Sequence, residues 1–155
     1  EATLSLYTPP SKGSSFDAET VLARMKKRFD EYLTHLDFSQ GDYTFFFPPY
    51  SALYWNYAFG AGNGETYLEF KAYAEGKLLG YENVRIFDFQ NAPFITDLNN
   101  YKDYPHYAPE INDRMLGCFA SGEYLVTEAA STENLLGATQ AQVAQLLERY
   151  PQIPE

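Results

Sequence analysis

Tyr43-Thr44-Phe45-Phe46-Phe47-Pro48-Pro49, echoed forty residues later by Asn83-Val84-Arg85-Ile86-Phe87-Asp88-Phe89-Gln90, is the stretch whose reading decides the fold. Both runs are short and rich in β-branched and aromatic residues, the composition of strands. The first is ended by two prolines, neither of which can donate to a ladder. Its lack of alternation predicts a strand covered on both faces, as in parallel sheets. Between the runs, residues 50–64 read as a Tyr/Trp-rich, glycine-punctuated loop. A weaker helix is predicted over Glu65–Leu79 with Leu68, Ala72 and Leu79 inward; Gly76 lowers its propensity without removing it. Strand, helix, strand is a βαβ unit.

Upstream, Thr8-Pro9-Pro10-Ser11-Lys12-Gly13-Ser14-Ser15 is a loop by composition. It leads into a helix whose stripe runs Val21, Leu22, Met25, Phe29, Tyr32, Leu33 and Leu36 at three- and four-residue steps. Downstream, the loop 91–108 delivers the chain to Pro109, a favoured first helical position, with Ile111, Met115, Leu116 and Phe119 expected inward and Cys118 a small core residue. Glu123–Thr127 reads as a short edge strand. Thr139-Gln140-Ala141-Gln142 has the capping-box pattern ahead of Val143, Leu146, Leu147 and Tyr150, so a last amphipathic helix should stop at Pro151.

The 155 residues suit one α/β domain, with Tyr and Phe abundant enough (14 and 12) to build a core. A formal charge of −10 repels phosphate backbones and argues against nucleic acid as a partner. A single cysteine forms no intrachain disulfide, and two distant histidines offer no zinc spacing; no metal or other cofactor is expected. Asp97, Asn99, Asn100 and Asp103 supply oxygens but lack the glycine and closing glutamate of a calcium loop. The uncharged run 43–64 is broken by Pro48-Pro49 and its glycines, against a membrane span. Glu1 opens without a Met or an apolar leader, which reads as a processed or excised chain.

The stretch that could carry chemistry is Asn99-Asn100-Tyr101-Lys102-Asp103-Tyr104-Pro105-His106-Tyr107-Ala108-Pro109. It connects the second strand to a helix N-terminus, and in α/β sheets such loops line the ligand crevice. Asp three residues before His can set a carboxylate on Nδ1, fix the tautomer and leave Nε2 free to accept a proton. Pro105 holds Tyr104 extended and stiffens the turn.

Asp103-Tyr-Pro-His106-Tyr-x-Pro-x-Ile-Asn112 resembles the last conserved block of the SGNH (GDSL-like) hydrolases, and Phe45-Phe46-Phe47-Pro48-Pro49-Tyr50-Ser51 resembles that family's preceding core strand. The resemblance covers roughly residues 44–120. It implies a three-layer α/β/α fold of SGNH or flavodoxin-like type, with a short, mostly parallel sheet, helices on both faces, and an incomplete N-terminal side. It implies acyl-ester hydrolysis or O-acyl transfer on a cell-surface carbohydrate, by a membrane-tethered protein of the bacterial envelope. His106 would be the general base and Asp103 its orienter. The family's Gly-Asp-Ser block is missing: the only Gly-Asp, Gly41-Asp42, precedes Tyr43, and no Gly-x-Asn-Asp block occurs. The nucleophile would lie before Glu1 or not exist. The open sheet edge would be covered by an N-terminal portion of the same protein or by another copy.

Each site residue has a structural alternative. The Asp103–His106 pair could be a capped loop with no catalysis, in a module that binds glycan or a protein partner through an aromatic rim. Ser51 is the serine expected to share a rim with His106, as pocket wall, turn residue or substitute nucleophile. Tyr50, Tyr54, Trp55 and Tyr107 are candidates for substrate contact or for packing. His35 reads as a solvated residue beside the first helix's stripe.

Overall fold

Both apolar runs are strands. In the computed structural model, which describes residues 2–10 and 17–153, β1 (Tyr43–Phe47) and β2 (Val84–Asp88) pair in parallel, Tyr43 opposite Val84 and Phe47 opposite Asp88. Around them lie α1 (Ala2–Ser5), α2 (Ala18–Leu33), α3 (Ala52–Gly60), α4 (Gly64–Leu78), α5 (Pro109–Ser121) and α6 (Thr132–Arg149). The chain is an α/β fold built on a two-stranded, open parallel sheet. Of the loop expected at 8–15, residues 11–15 lie outside the described residues.

Three layers result from the alternation along the strands. On one face Leu33 of α2, Leu78 of α4 and Ile86 form a buried cluster, with Phe45, Phe47 and Val84 against it. On the other, Phe87 packs edge-on to Phe119 of α5, ring centroids 4.9 Å apart, within a core that includes Leu53, Phe89, Ile111, Met115 and Leu146. Because α5 lies over β2, the outer half of that face stays open: Thr44 is exposed and Phe46 is 44% exposed. β1 is therefore covered on one face rather than the two its unbroken apolar run suggested.

The two sheet edges differ. Asp88 N donates to Tyr124 O at 2.9 Å and Val126 N to Ile86 O at 2.8 Å, and Phe87 bridges Leu125 antiparallel, so the segment expected as an edge strand covers β2 as a single bridge. Tyr43 and Phe47 turn their backbone groups to β2. By alternation those of Thr44 and Phe46 face away, and among the described residues they have no partner.

Several elements depart from their sequence-based expectations. Residues 52–60 form a helix, not a loop; Ser51 caps it, accepting from Tyr54 N at 3.2 Å. Ala52, Leu53, Trp55 and Ala58 are all buried, so no polar face betrays the helical period. α4 buries Leu68, Lys71, Glu75 and Leu78, a regular stripe in which two of the four positions are charged. In α2, Tyr32 is exposed and Leu36 lies beyond the helix end. In α5, Ile111, Met115 and Cys118 turn inward at steps of four and three, which leaves Leu116 62% exposed instead of buried. α6 begins seven residues before the expected cap: Ser131 accepts from Asn134 N, while Thr139 is interior and donates its hydroxyl to Leu135 O.

Candidate functional site

Residues 101–108 form a hook on the β2-to-α5 connection. Tyr101 and Tyr107 bridge antiparallel, Lys102 N donates to His106 O at 2.9 Å, and Ala108 N to Asn100 O at 2.7 Å. The hook is fastened by three side-chain hydrogen bonds. The Tyr101 hydroxyl donates to Pro49 O at 2.7 Å, Ser51 Oγ to Tyr104 O at 2.5 Å, and Thr3 Oγ1 to Tyr101 O at 2.6 Å. Burial raises the Tyr101 phenol's pKa, so the hydroxyl remains a donor. A loop tied by three such bonds to two distant segments, α1 and the stretch that follows β1, is held as an element would be.

At its tip, His106 Nδ1 lies 2.8 and 2.9 Å from the two oxygens of Asp103, and His106 N donates to Asp103 Oδ1 at 2.9 Å. Partial burial acts to raise the Asp103 carboxyl, but the hydrogen bonds from the ring and backbone of His106, with the charges of His106 and Lys102, outweigh it and hold the carboxyl below its ordinary value. The His106 side chain is 75% exposed against 26% for Asp103. With Nδ1 held, Nε2 is the nitrogen available to a substrate, and the arrangement can take and return a proton there.

His106 lines a cleft of about 480 Å³ together with Pro48, Tyr50, Pro105, Tyr107 and Asn112. Pro48 and Tyr50 follow the end of β1, and the hook follows β2, so the cleft sits at the carboxyl ends of both parallel strands. Among the described residues Tyr50 and Tyr107 are the two aromatic residues that line the cleft with the imidazole, and burial raises the Tyr107 phenol, with Tyr50 adding.

The remaining candidates fall elsewhere. Ser51 is fully buried, donating to Tyr104 O and accepting from Tyr54 N, and does not line the His106 cleft. Tyr54 packs between Tyr50 and Trp55, and burial pushes its phenol up to about 12. Trp55 is 2% exposed, inside a cluster with Leu68, Leu135 and Val143, not a platform on the rim. Asp97 is occupied by Arg149 at 3.1 Å and by Asn99, a brace between the loop and α6. His35 is exposed.

A second charged group went unread in the sequence. Lys71 Nζ of α4 lies 2.6 Å from Asp88 Oδ2 at the end of β2, and Glu75, one turn further along, accepts from Ala130 N at 3.1 Å. Burial raises the Glu75 carboxyl, against the Ala130 hydrogen bond and Lys71, which lower it. The available signal was the four-residue spacing of Lys71 and Glu75 on the face that also carries Leu68 and Leu78. Comparison of the chain with protein-family models, curated proteins and solved structures finds no match.

Proposed function

We propose that this chain supplies the acid–base half of an SGNH-type acyl-ester hydrolase or O-acyltransferase acting on a carbohydrate of the bacterial cell surface. One observation carries the reading: a carboxylate holds Nδ1 of an exposed imidazole at the mouth of a cleft on the carboxyl rim of a parallel sheet. In this mechanism His106 Nε2 takes the proton of an attacking hydroxyl as its oxygen bonds to the acyl carbon. The imidazolium is stabilised by Asp103 and returns the proton to the departing alkoxide. No serine, threonine or cysteine lines the cleft among the described residues, so in this reading the attacking hydroxyl is brought to His106 by a group other than these lining residues. The unpartnered edge at Thr44 and Phe46 is where a further strand, from the same protein or another copy, would join the sheet.

The test uses the protein at its full natural length: labelling by a serine-reactive fluorophosphonate and cleavage of an aryl acetate, for the parent and His106→Ala. Loss of roughly 10²–10⁴-fold is expected; equal rates would remove His106 from the chemistry.

The absence of a hydroxyl or thiol nucleophile from the described cleft lining also supports a second reading, a non-catalytic module that binds glycan beside Tyr50 and Tyr107. Glycan-array binding that Tyr50→Ala abolishes, with no ester turnover in the full-length protein, would favour it over the first.

A further inference from the structure

Behind Tyr50 lies a second cleft of about 290 Å³, which shares Pro48 and Tyr50 with the His106 cleft. Phe47, Tyr54, Tyr67 and Phe70 give it aromatic walls, while Trp55, Lys71 and Gln90 bring buried polar atoms to it. Trp55 Nε1 and Gln90 Oε1 have no hydrogen-bond partner among the described residues, although the two residues are only 2% and 6% exposed. Lys71 is 3% exposed; among the described residues its ammonium has Asp88 as its one hydrogen-bond acceptor and lies 5.1 Å from the centroid of the Phe47 ring, so two of its N–H groups have no oxygen partner. Buried polar groups in native proteins are nearly always paired. Here an indole N–H, an ammonium and an amide oxygen with incomplete hydrogen bonding belong to residues that line one apolar cavity, the pattern of a ligand pocket with a few fixed polar groups.

The charges narrow the ligand. Asp88 neutralises Lys71, and Glu75 lies one turn further along the same helix, so the floor holds no surplus positive charge for an anion. The volume is at the small end for a ligand site, enough for one ring or a short acyl chain. We propose that this cleft binds an uncharged ligand with an apolar ring or short acyl body and an amide or hydroxyl head. The head's oxygen accepts from Trp55 Nε1 or Lys71 Nζ, and its N–H or O–H donates to Gln90 Oε1. The inference does not rest on the acyl-transfer reading.

Trp55 is the only tryptophan in the chain, so the single indole N–H resonance in a ¹⁵N-correlated spectrum comes from a residue that lines this cleft. Titration with benzamide, which has a ring, a carbonyl and an N–H, should move that resonance saturably with a Kd on the order of 1 mM, usual for a fragment of its size. Benzoate, the same ring with a charged head, should bind at least about tenfold more weakly. Gln90→Leu, checked for fold by circular dichroism, should weaken benzamide several-fold, and His106→Ala should leave its titration unchanged. An indole resonance that does not move with benzamide, or benzoate binding as well as benzamide, overturns the proposal in the parent protein alone. Undiminished binding in a folded Gln90→Leu variant also overturns it.

Discussion

Two carboxylate–base pairs sit near the carboxyl rim, with almost the same contact distance and opposite settings. Asp103 and His106 meet at 2.8 Å across two intervening residues, with the imidazole in solvent; Lys71 and Asp88 meet at 2.6 Å between a helix and a strand end, with the ammonium 3% exposed. In the first pair water screens both partners, so the contact sets the ring's orientation and contributes little to stability. In the second each charge is out of water and depends on the other. Similar contacts thus serve different ends: one sets the orientation of an exposed ring, the other fastens α4 to the sheet.

Removing one partner of the buried pair is the sharpest way to test that contrast. Lys71→Met leaves the Asp88 carboxylate with Gln90 N at 2.9 Å and Asn91 Nδ2 at 3.3 Å as its remaining donors. A loss of about 3–5 kcal/mol is expected, read from the urea midpoint and slope. Lys71→Met with Asp88→Asn should lose less than Lys71→Met alone, because no unpaired charge is then buried. A single variant that costs under about 1 kcal/mol would place the pair in the same class as the exposed one.

Glu75 gives a smaller effect of opposite sign. Burial raises its carboxyl above the ordinary value of 4.5, more than the Ala130 hydrogen bond and Lys71 lower it. The folded chain therefore holds this proton more tightly than the unfolded one. The cost of the buried carboxylate is absent below 4.5 and develops as pH rises through the raised value. Glu75→Gln keeps an oxygen for Ala130 N and should stabilise the protein near neutrality by on the order of 1 kcal/mol, about 2–4 °C in Tm for a chain of this size. The gain should shrink as pH is lowered toward the ordinary carboxylate range; a constant gain at all pH values would mean that volume or packing, not charge, is responsible.

The same contrast explains what could be read from the chain alone. Asp103-x-x-His106 is local: spacing and a following helix start are enough to place a carboxylate on an imidazole. The two strands and their parallel pairing are also legible, because each is one compact run bounded by turn residues. Lys71 and Asp88 are 17 residues apart on different kinds of element, and nothing in either run marks the other. α3 hides because it is apolar on every side, and its aromatic residues suggest a rim loop when Trp55 is in fact buried. Ser51 illustrates the same limit: it caps α3 through Tyr54 N three residues on, but its role as a clamp on Tyr104 depends on a contact 53 residues away. Thr3, which holds the hook from 98 residues away, carries no local signal at all.

Asp103→Asn should have the smallest effect on stability and discriminate most clearly between the uses of the two pairs. With the His106 side chain 75% exposed, the folded protein should lose less than about 1 kcal/mol at neutral pH. The Asp103 carboxyl is held below its ordinary value of 3.8: burial raises it, but the His106 hydrogen bonds and nearby positive charges lower it further. Its contribution is therefore present above 3.8 and lost as pH falls through the depressed value, so the parent should lose its small advantage over Asp103→Asn only in that acid window. The larger change is in the ring. An aspartate accepts the Nδ1 proton and leaves Nε2 bare, whereas an asparagine can turn its amide to donate to Nδ1 and move the proton to Nε2. The ¹⁵N shifts of the His106 ring should report that exchange of tautomer in a protein whose melting curve is almost unchanged. If the ring nitrogens keep the parent's shifts in Asp103→Asn, the carboxylate does not set the tautomer, and the exposed pair is only a capped loop.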